Sequence, residues 1–517
     1  MKKIVLTTIN AKWIHPSLAL RLLKANLGSL EDSCEIMEFA LRQPLSEKLE
    51  PLLAAFVPNG HVPDGRARIL GISVSIWNHI ATLELLKELG KQKAKPVIVL
   101  GGPEVSHLPE NAEIFQYADY VIRGEGETAF RLLCEEILAG EQAGNKFINA
   151  ENVNVCEIKT AYHLYTDEDV TKKLTYIESS RGCVFNCEFC LSAVKTEGKG
   201  SAVREFPLEQ FLAEMDTLIQ RGAKTFKFLD RSFNVNINRS LQIIEFFLGK
   251  LNSSSSLSSS SASPRLCERS SSNISSSSAS SAPLRLRENS SLNIPAPFTV
   301  HFEMVPSLFP QELLEALTRF PPGTLRLEIG IQTLNPEVSA RIGRPYSGKE
   351  LDALRFLREK TNAIIHADLI AGLPGEDIVS FGKGFDLLWQ TVGVANSGAN
   401  SGAKSGEQTE IQPGILKLLP GALISRHNET FGMRYNSLPP YEVEETSVMS
   451  AEELGRIKNF ARFWETIVNR GLIELKNNEP IFDKFMALSD SLLAHFGKNW
   501  GIDKAELRMA VEKYTII

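Results

Sequence analysis

The stretch LTYIESSRGCVFNCEFC, residues 174–190, runs a short strand directly into three closely spaced cysteines. Cys183, Cys187 and Cys190 have the spacing C-x3-C-x2-C. A structural zinc site or an electron-transfer cluster is usually closed by four protein ligands, so three thiolates on one loop leave a fourth position open. We therefore predict a 4Fe–4S cluster on these cysteines, with one iron free to bind a substrate or cofactor.

A zinc site with a distant fourth ligand is the alternative that this loop leaves open. Zinc favours C-x2-C pairs, and the chain has no second pair. Three unrelated thiols are the remaining alternative, which the tight spacing on a barrel loop disfavours. In the predicted cluster, Gly182 lets the loop turn, while Phe185 and Phe189 shield the metal from water.

Six strand–helix units follow one another across residues 175–425, with the cysteine loop after the first strand. The later strands include KTFKFLD, FTVHFEM, TLRLEIGIQT, AIIHADLIAGLPGE and GILKLLPGA. Because six units are two short of a closed eightfold barrel, the pattern predicts a partial (β/α)6 barrel of the TIM type. Functional side chains are expected at the carboxyl ends of its strands.

Residues 1–140 alternate short apolar strands with amphipathic helices, which predicts a doubly wound, Rossmann-like α/β domain. One strand ends in Gly101-Gly102, and the next ends in Gly124 and Gly126. Glycines just beyond the carboxyl ends of parallel strands let a ligand approach the backbone closely. Ordinary turn glycines are the alternative, although two such turns at neighbouring strands favour a ligand.

The remaining segments are predicted to connect or cover these two domains. Residues 141–174 are expected to form a linker, and residues 440–517 a small helical domain. Residues 252–294 are rich in serine and lack apolar periodicity, so we expect a disordered insertion. A smaller insertion is expected at 395–409, and neither insertion is expected to carry chemistry.

Composition excludes several classes of protein. The 517 residues suit about two to four domains. A net charge of −6 gives no electrostatic footprint for nucleic acid. No apolar run is long enough to span a bilayer, and MKKIVLTTIN reads as a first strand rather than a signal peptide. The clustered cysteines fit a reducing compartment, so we expect a cytoplasmic protein.

The C-x3-C-x2-C loop after the first strand of a six-unit barrel resembles the radical S-adenosylmethionine (radical SAM) superfamily. The resemblance implies that Cys183, Cys187 and Cys190 hold the 4Fe–4S cluster and that its open iron binds S-adenosylmethionine. It further implies reductive cleavage to a 5′-deoxyadenosyl radical. The electron would come from a partner such as flavodoxin or ferredoxin.

The N-terminal half resembles the cobalamin-binding domain that precedes the barrel in one branch of that superfamily. The segments NAKWIHPSLALRLL, VLGGPEVS and YVIRGEGETAFRLL carry this resemblance. With LEIGIQTLNPEV, DLIAGLPGE, LKLLPG and the helical tail, the chain resembles a subgroup that has a C-terminal domain of unknown function. The residues expected near cobalamin are His15, Gly101, Gly102, Gly124 and Gly126.

Cobalt ligation by a histidine is not expected. None of the nine histidines lies in the pattern Asp-x-His-x-x-Gly that marks such a ligand. His15 has Trp13 and Leu18 at the two diagnostic places. The resemblance therefore implies a cobalt whose lower face is open or shielded.

Barrel geometry and the resemblance together suggest which residues contact S-adenosylmethionine. These candidates are Phe189, Asp230, Glu303, Glu328, Gln332, Asp368, Gly372 and Lys417. For Glu303, Asp368 and Lys417, a buried charge that is merely paired is an equally weighted alternative. Arg341 and Arg344 could bind a carboxylate, although surface helix arginines are more common.

The leading hypothesis is a cobalamin-dependent radical SAM enzyme that methylates an unactivated carbon of an unknown substrate. A radical cyclisation or rearrangement without methyl transfer is the alternative within enzymes. A tRNA methylthiotransferase is disfavoured because Cys34, Cys134 and Cys156 do not lie in its motifs and no basic β-barrel ends the chain. A non-catalytic cobalamin or iron–sulfur sensor is the alternative outside enzymes.

Overall fold

The first sheet contains six parallel strands that form the core of the N-terminal domain. The computed structural model describes residues 3–56, 68–92, 95–141, 144–196, 202–259, 298–393, 409–473, 475 and 479–514. The strands of this sheet are β1 (Ile4–Asn10), β2 (Cys34–Ala40), β3 (Ile69–Ser73), β4 (Val97–Gly101), β5 (Tyr120–Arg123) and β6 (Phe147–Asn149). Their order is β2-β1-β3-β4-β5-β6, and every pair is parallel.

Helices cover both faces of this sheet. They are α1 (Leu18–Ala25), α2 (Leu45–Phe56), α3 (His79–Gly90) and α4 (Gly126–Ala139). Leu52 and Leu86 belong to the apolar cluster on one face, and Leu20 and Phe130 to the cluster on the other. The predicted doubly wound fold is confirmed. The strand order reverses between β1 and β3, and such sheets bind ligands at the carboxyl ends beside a reversal.

The segment that joins the two domains has structure of its own. The last strand of the first sheet, β6, lies within the predicted linker 141–174, and so does α5 (Asp167–Lys172). Thr166 caps α5, because its hydroxyl accepts from the backbone N–H of Asp169 while the Asp169 carboxylate accepts from that of Thr166. This segment therefore packs as an ordered bridge to the barrel.

The second sheet is the predicted six-stranded partial barrel, and this prediction is confirmed. Its strands are β7 (Thr175–Ile177), β10 (Thr225–Phe228), β11 (Thr299–Met304), β12 (Leu325–Gln332), β13 (Ile364–Ala371) and β14 (Thr409–Ile415). They pair in parallel in the order β14-β13-β12-β11-β10-β7. A short antiparallel pair, β8 (Ser180–Arg181) and β9 (Arg204–Glu205), flanks the cysteine loop.

Alternation along the barrel strands separates an apolar face from a polar face. In β12, Leu325, Leu327 and Ile329 are buried, while Arg326 and Glu328 between them are half-buried. The apolar face packs against the barrel helices, which are α6 (Leu208–Gln220), α7 (Ile237–Ser259), α8 (Gln311–Leu317), α9 (Pro336–Arg341), α10 (Lys349–Lys360) and α11 (Ile378–Val392). The polar face is left for the interior of the barrel.

The serine-rich insertion begins later than the sequence predicts. Residues 252–259 were expected to be disordered, but they continue α7. The Ser253 hydroxyl donates to the carbonyl oxygen of Gly249 at 2.8 Å, one turn earlier, so the serine side chain completes its hydrogen bonding within the helix. Residues 260–294, and all of the second insertion except residue 409, lie outside the described residues.

The C-terminal tail contains a small hairpin as well as helices. Its elements are β15 (Arg434–Tyr435), β16 (Val443–Glu445), α12 (Ala451–Trp464), α13 (Phe482–Phe496) and α14 (Lys504–Tyr514). The ring of Trp464 meets the ring of Phe385 on α11 edge to face, with centroids 4.8 Å apart. The tail therefore shares one apolar core with the barrel. Among the described helices, none has the length and apolar character needed to cross a bilayer.

Candidate cofactor site

A cavity of about 520 Å³ lies between the two domains. Its N-terminal side is formed by the carboxyl ends of β3, β4 and β5, and its barrel side by the start of the cysteine loop and the ends of β10 and β11. All four glycines predicted to lie near cobalamin line this cavity, namely Gly101, Gly102, Gly124 and Gly126. His15 is not among its lining residues. Its Nδ1 lies 2.8 Å from the hydroxyl of Tyr176 on β7.

The lining glycines differ in what they do. Gly102 has φ +104°, and a Cβ there would lie 2.5 Å from the carbonyl oxygen of Val74. Gly124 has φ +98°, so the backbone itself requires glycine at both places. At Gly101 a Cβ would meet nothing closer than the carbonyl oxygen of Ile122 at 3.8 Å. The missing side chain at Gly101 therefore leaves open space in the cavity rather than relieving strain.

The three cysteines lie on one loop at the barrel side of this cavity. Cys183 and Cys187 are buried and Cys190 is half-buried. The Ser232 hydroxyl lies 3.8 Å from the Cys183 sulfur, and Arg344 donates from Nη1 to the Cys187 sulfur at 3.6 Å. Hydrogen-bond donors to thiolate sulfurs tune iron–sulfur clusters, so this donor set fits such a group.

In the part of the chain that the structure describes, no three His, Cys, Asp or Glu side chains are placed to hold one metal ion. Burial raises the pKa of the Cys187 thiol, while Arg344 acts in the opposite direction. A cubane cluster binds each thiolate to a different iron and compensates the buried negative charge.

Two distant segments fix the backbone of the cysteine loop. The Glu188 N–H donates to the Ile342 carbonyl at 3.0 Å, and the Ile424 N–H donates to the Glu188 carbonyl at 3.0 Å. The buried Glu188 carboxylate pairs with Arg426 and lies 2.9 Å from Nε2 of His427. The sequence motif gives no sign of these anchors, because all of them come from segments more than 150 residues later.

Asp230 supports the turn that leads into the cysteine loop. Its buried carboxylate accepts from the Ser179 N–H at 2.9 Å, from the Ser179 hydroxyl at 2.6 Å and from the Ser180 hydroxyl at 2.7 Å. Burial raises the pKa of Asp230, and these hydrogen bonds act against that shift. These three bonds show that Asp230 supports the turn, and its contact with S-adenosylmethionine stays a prediction.

Replacing Asp230 with alanine is expected to lower the free energy of unfolding by about 3 kcal/mol, because each orphaned buried donor costs about 1–3 kcal/mol. Urea unfolding of the cofactor-free chain measures this loss. Asp352, whose side chain is 77% exposed and pairs with Arg355, is the control, and its alanine variant should stay within about 0.5 kcal/mol of the parent. Equal losses in the two variants would contradict the supporting role.

The polar face of β10–β14 carries an excess of negative charge. Four carboxylates, Glu303, Glu328, Asp368 and Glu410, share it with the two fixed cations Lys227 and Arg326. Glu328 lies 3.2 Å from His301 and 3.4 Å from Lys227, and these groups lower its pKa to about 2. The interior of the barrel therefore suits a ligand that brings positive charge.

Glu303 and Asp368 are the carboxylates on this face that have no compensating hydrogen bond from a described residue. Glu303 also lines the cavity. Burial raises the pKa of both groups, and that of Asp368 reaches about 7 with a further contribution from Glu328. Arg231 and Lys227 oppose this shift at Glu303, and His366 and Lys227 oppose it at Asp368, but burial outweighs them. The sulfonium and ammonium groups of S-adenosylmethionine would add positive charge beside both carboxylates.

Asp368 should make stability depend on pH. Its pKa is about 7 in the folded chain and 3.8 when the carboxyl is fully hydrated, so the folded state holds this proton more tightly and loses stability as pH rises from about 4 to 7. Asp368→Asn should therefore stabilise the cofactor-free chain at pH 8 more than at pH 5, as measured by guanidinium unfolding. Asp352→Asn is the control. A variant that gains no stability at pH 8 would contradict this assignment.

The other residues predicted to contact S-adenosylmethionine are more scattered. Gln332 ends β12 at an irregularity in the strand pairing and has φ 70°. Gly372 has φ +82°, and a Cβ there would lie 2.5 Å from Val443, so it serves packing against the tail. Phe189 packs against the main core. Lys417 is exposed, its backbone bridges to Glu442, and it does not line the cavity.

Arginines and glutamates that the sequence did not single out join the two sides of the cavity. Arg181 contacts Glu178, Glu127 and Glu125, and Arg204 pairs with Glu125. Arg344, which was considered as a carboxylate ligand, contacts Cys187 and the Gly330 carbonyl instead. Arg181 could have been noticed from its place two residues before Cys183, but its partners could not.

Two family models match the chain. Residues 4–134 match the B12 binding domain, and residues 177–388 match the Radical SAM superfamily. The chain therefore carries a B12 binding domain followed by a radical SAM domain. The cofactors of these two domains are cobalamin, a 4Fe–4S cluster and S-adenosylmethionine.

Curated relatives are similar over part of the chain. An uncharacterized methyltransferase of Pyrococcus horikoshii is 29% identical over 28% of this chain and 36% of its own length. The cobalamin-dependent radical SAM methyltransferase TokK of Streptomyces tokunonensis is 23% identical over 34% of this chain and 29% of its own length. The alignments thus span about a third of these relatives.

Solved structures are similar over nearly the whole chain. The cobalamin-dependent S-adenosylmethionine radical enzyme OxsB gives a TM-score of 0.61 at 15% identity, covering 99% of this chain and 75% of that one. The radical S-adenosylmethionine methyltransferase TsrM of Kitasatospora setae gives 0.58 at 15% identity, covering 99% and 100%. At these identities the likeness shows the shared fold alone.

Proposed function

We propose that this chain is a cobalamin-dependent radical SAM methyltransferase that acts on an unactivated carbon of an unidentified substrate. The observation that carries the proposal is the single cavity onto which the glycine loops of the B12 binding domain and the start of the cysteine loop both open. Two cofactor sites that share one space can act on one substrate in turn. The names of the similar methyltransferases support the same reaction class.

The cofactors would supply the chemistry that side chains cannot. When bound, the cluster provides the electron that cleaves S-adenosylmethionine, and cobalamin provides a transferable methyl group. The protein's own task is to hold these groups and to keep water out. Cys183, Cys187 and Cys190 would bind the cluster, with Ser232 and Arg344 directed at two of the sulfurs.

The barrel residues would bind and orient S-adenosylmethionine. Glu303 and Asp368, which have no hydrogen-bonded partner among the residues that the structure describes, would face its positive charges. Glu328 would stay paired with Lys227. Because opposite charge favours the ionised form, binding would return the two raised pKa values toward their ordinary range. Gln332 lies at the end of the same polar face.

The N-terminal residues would hold cobalamin through backbone and shape. Gly101, Gly102, Gly124 and Gly126 form the cavity wall, and apolar side chains from β1, α1 and α4 extend it. Those side chains are Leu6, Leu20, Leu23 and Phe130. His15, which was expected near cobalamin, is not among the residues that line the cavity, and its Nδ1 lies 2.8 Å from the Tyr176 hydroxyl.

The reaction also needs an electron donor, and we propose a flavodoxin or ferredoxin for this role. A reducing compartment such as the cytoplasm would suit the three clustered cysteines, which the proposed cluster needs as thiolates.

The proposal is tested with S-adenosylmethionine that carries a trideuteromethyl group. The anaerobically reconstituted and reduced protein is incubated with it and with a metabolite extract from a strain that lacks the gene. We expect 5′-deoxyadenosine and one metabolite that gains the label. A metabolite that changes without gaining label would indicate cyclisation or rearrangement, and binding of the cofactors without 5′-deoxyadenosine would indicate a sensor.

A further inference from the structure

One guanidinium joins the two domains at the cavity. Nη2 of Arg181 lies 2.7 Å from Oε1 of Glu127 and 2.7 Å from Oε1 of Glu178, and Nη1 lies 3.7 Å from Oε2 of Glu125. The Arg181 side chain is 12% exposed, and its three partners are no more than 15% exposed. Arg181 therefore contacts a cluster of largely buried carboxylates drawn from both domains.

These residues lie directly beside the two loops that are proposed to hold the cofactors. Arg181 precedes Cys183 by two residues, and Gly182 between them lines the cavity. Glu125 and Glu127 alternate with Gly124 and Gly126 in the turn that opens α4. The guanidinium thus ties the glycine turn of the B12 binding domain directly to the cysteine loop.

A second arginine reinforces the same turn. Arg204 on β9 donates from Nη1 to Glu125 at 2.9 Å and to the Val153 carbonyl at 2.6 Å. Because β9 pairs with β8, where Arg181 lies, both arginines project from one small hairpin at the cysteine loop. The β8–β9 pair thus holds the glycine turn through two carboxylates, those of Glu125 and Glu127.

The other glycine turn also has a carboxylate beside its glycines, and this one is bonded to the C-terminal tail. Glu104, which is buried and lies two residues after Gly102, accepts from the Tyr441 hydroxyl at 2.5 Å and lies 2.9 Å from Nδ1 of His79. Tyr441 belongs to the segment that follows the last barrel strand. Each glycine turn of the cavity is therefore bonded through a carboxylate beside its glycines, one to the β8–β9 pair at the cysteine loop and the other to the C-terminal tail.

Stability alone does not account for this arrangement. A buried ion pair is a weak source of folding free energy, because the cost of desolvating the charges offsets most of their attraction. Its directional hydrogen bonds do, however, fix the register of the two surfaces that it joins.

We propose that Arg181 is a positioning residue. Through Glu127 and Glu125, it sets the spacing between the glycine turn at residues 124–127 and the cysteine loop. The inference rests on the proposed function and goes beyond it. It makes the distance between the cobalamin and the cluster depend on Arg181, which would bind neither the cobalt nor the iron. A misplacement of about 1 Å between reacting groups can cost about a hundredfold in rate.

Electron paramagnetic resonance of the holoenzyme tests the spacing. With cob(II)alamin bound and the cluster reduced, both centres carry unpaired electrons, and their dipolar coupling reports the distance between them. We expect Arg181→Ala and Glu127→Gln to keep wild-type iron and cobalamin contents. Both variants should show a weaker dipolar coupling or a broader distribution of couplings than the wild type. Methyl transfer should fall by about a hundredfold.

Arg131→Ala is the matched control, because Arg131 pairs with Glu135 on the exposed side of the same helix, α4. Glu127→Gln keeps the bonds from Arg181 to Glu178. It therefore tests the contact between Arg181 and the glycine turn even if Arg181→Ala does not fold. Coupling that is unchanged in Glu127→Gln, or altered equally in Arg131→Ala, would overturn the proposal.

Hydrogen exchange separates this inference from the proposed function. In the cofactor-free protein, amides of the turn at residues 124–127 should exchange at least tenfold faster in Arg181→Ala or Glu127→Gln than in the wild type or Arg131→Ala. Exchange rates at residues 124–127 that are the same in these variants as in the wild type would contradict the proposed role of Arg181. A wild-type chain that binds neither iron nor cobalamin would instead contradict the proposed function. The exchange rates would still show whether Arg181 holds the glycine turn.

Discussion

Replacing Cys183, Cys187 and Cys190 together with alanine is expected to reduce bound iron and sulfide to background and to abolish the formation of 5′-deoxyadenosine. The three thiolates are the proposed protein ligands of the cluster, and the ligand-bearing loop has no fourth cysteine that could replace one of them. Iron content per chain and the visible absorbance of the reconstituted protein measure the effect.

Cys156→Ala is the control for this experiment. Cys156 is an exposed free thiol outside the cavity lining, so its variant should retain iron, sulfide and activity at the wild-type level. Unfolding of the triple variant must also be compared with that of the wild type in the absence of iron. A triple variant that folds and still binds a full complement of iron would contradict the proposed ligands.

Filling the cavity at Gly101 is expected to weaken cobalamin binding by about tenfold or more. Gly101 has no left-handed φ, and a Cβ there makes only an ordinary contact at 3.8 Å, so Gly101→Leu should fold and place its side chain in the cavity. Overpacking a fitted space costs about 1–3 kcal/mol, and about 1.4 kcal/mol corresponds to tenfold in affinity. Equilibrium titration followed by absorbance gives the dissociation constant.

The matched control for Gly101→Leu is Gly144→Leu. Gly144 is exposed, and a Cβ there would meet nothing within 4 Å. This variant should bind cobalamin as the wild type does, and both variants should keep their iron. Unchanged cobalamin affinity in a folded Gly101→Leu would place the cofactor elsewhere.

Both sheets could be predicted because their strands carry local signals. Buried parallel strands such as IVLTTIN read as apolar runs, and the alternation in LRLEIGIQ marks a strand with one polar face. The cysteine loop is likewise a local pattern of three residues. The partial barrel, the doubly wound sheet and the candidate cluster ligands all rest on such signals.

Other features depend on contacts that no local pattern encodes. Arg181 meets Glu127, which lies 54 residues earlier, and Glu188 meets His427, which lies 239 residues later. Asp230 has a barrel-end position typical of a ligand contact, but two neighbouring serines determine what it does. The separate helical domain expected at the C-terminus shares its core with α11 because Trp464 and Phe385 pack together.

We propose that S-adenosylmethionine serves both as the methyl donor and as the source of the radical, at one cavity. The most direct measurement is the quantity of each S-adenosylmethionine product after the reconstituted, reduced and cobalamin-loaded protein is incubated with it. Methyl donation leaves S-adenosylhomocysteine, and reductive cleavage leaves 5′-deoxyadenosine. The account predicts both products, with 5′-deoxyadenosine lost in the triple cysteine variant and S-adenosylhomocysteine lost when cobalamin is omitted. Formation of neither product by a protein that carries both cofactors would contradict it.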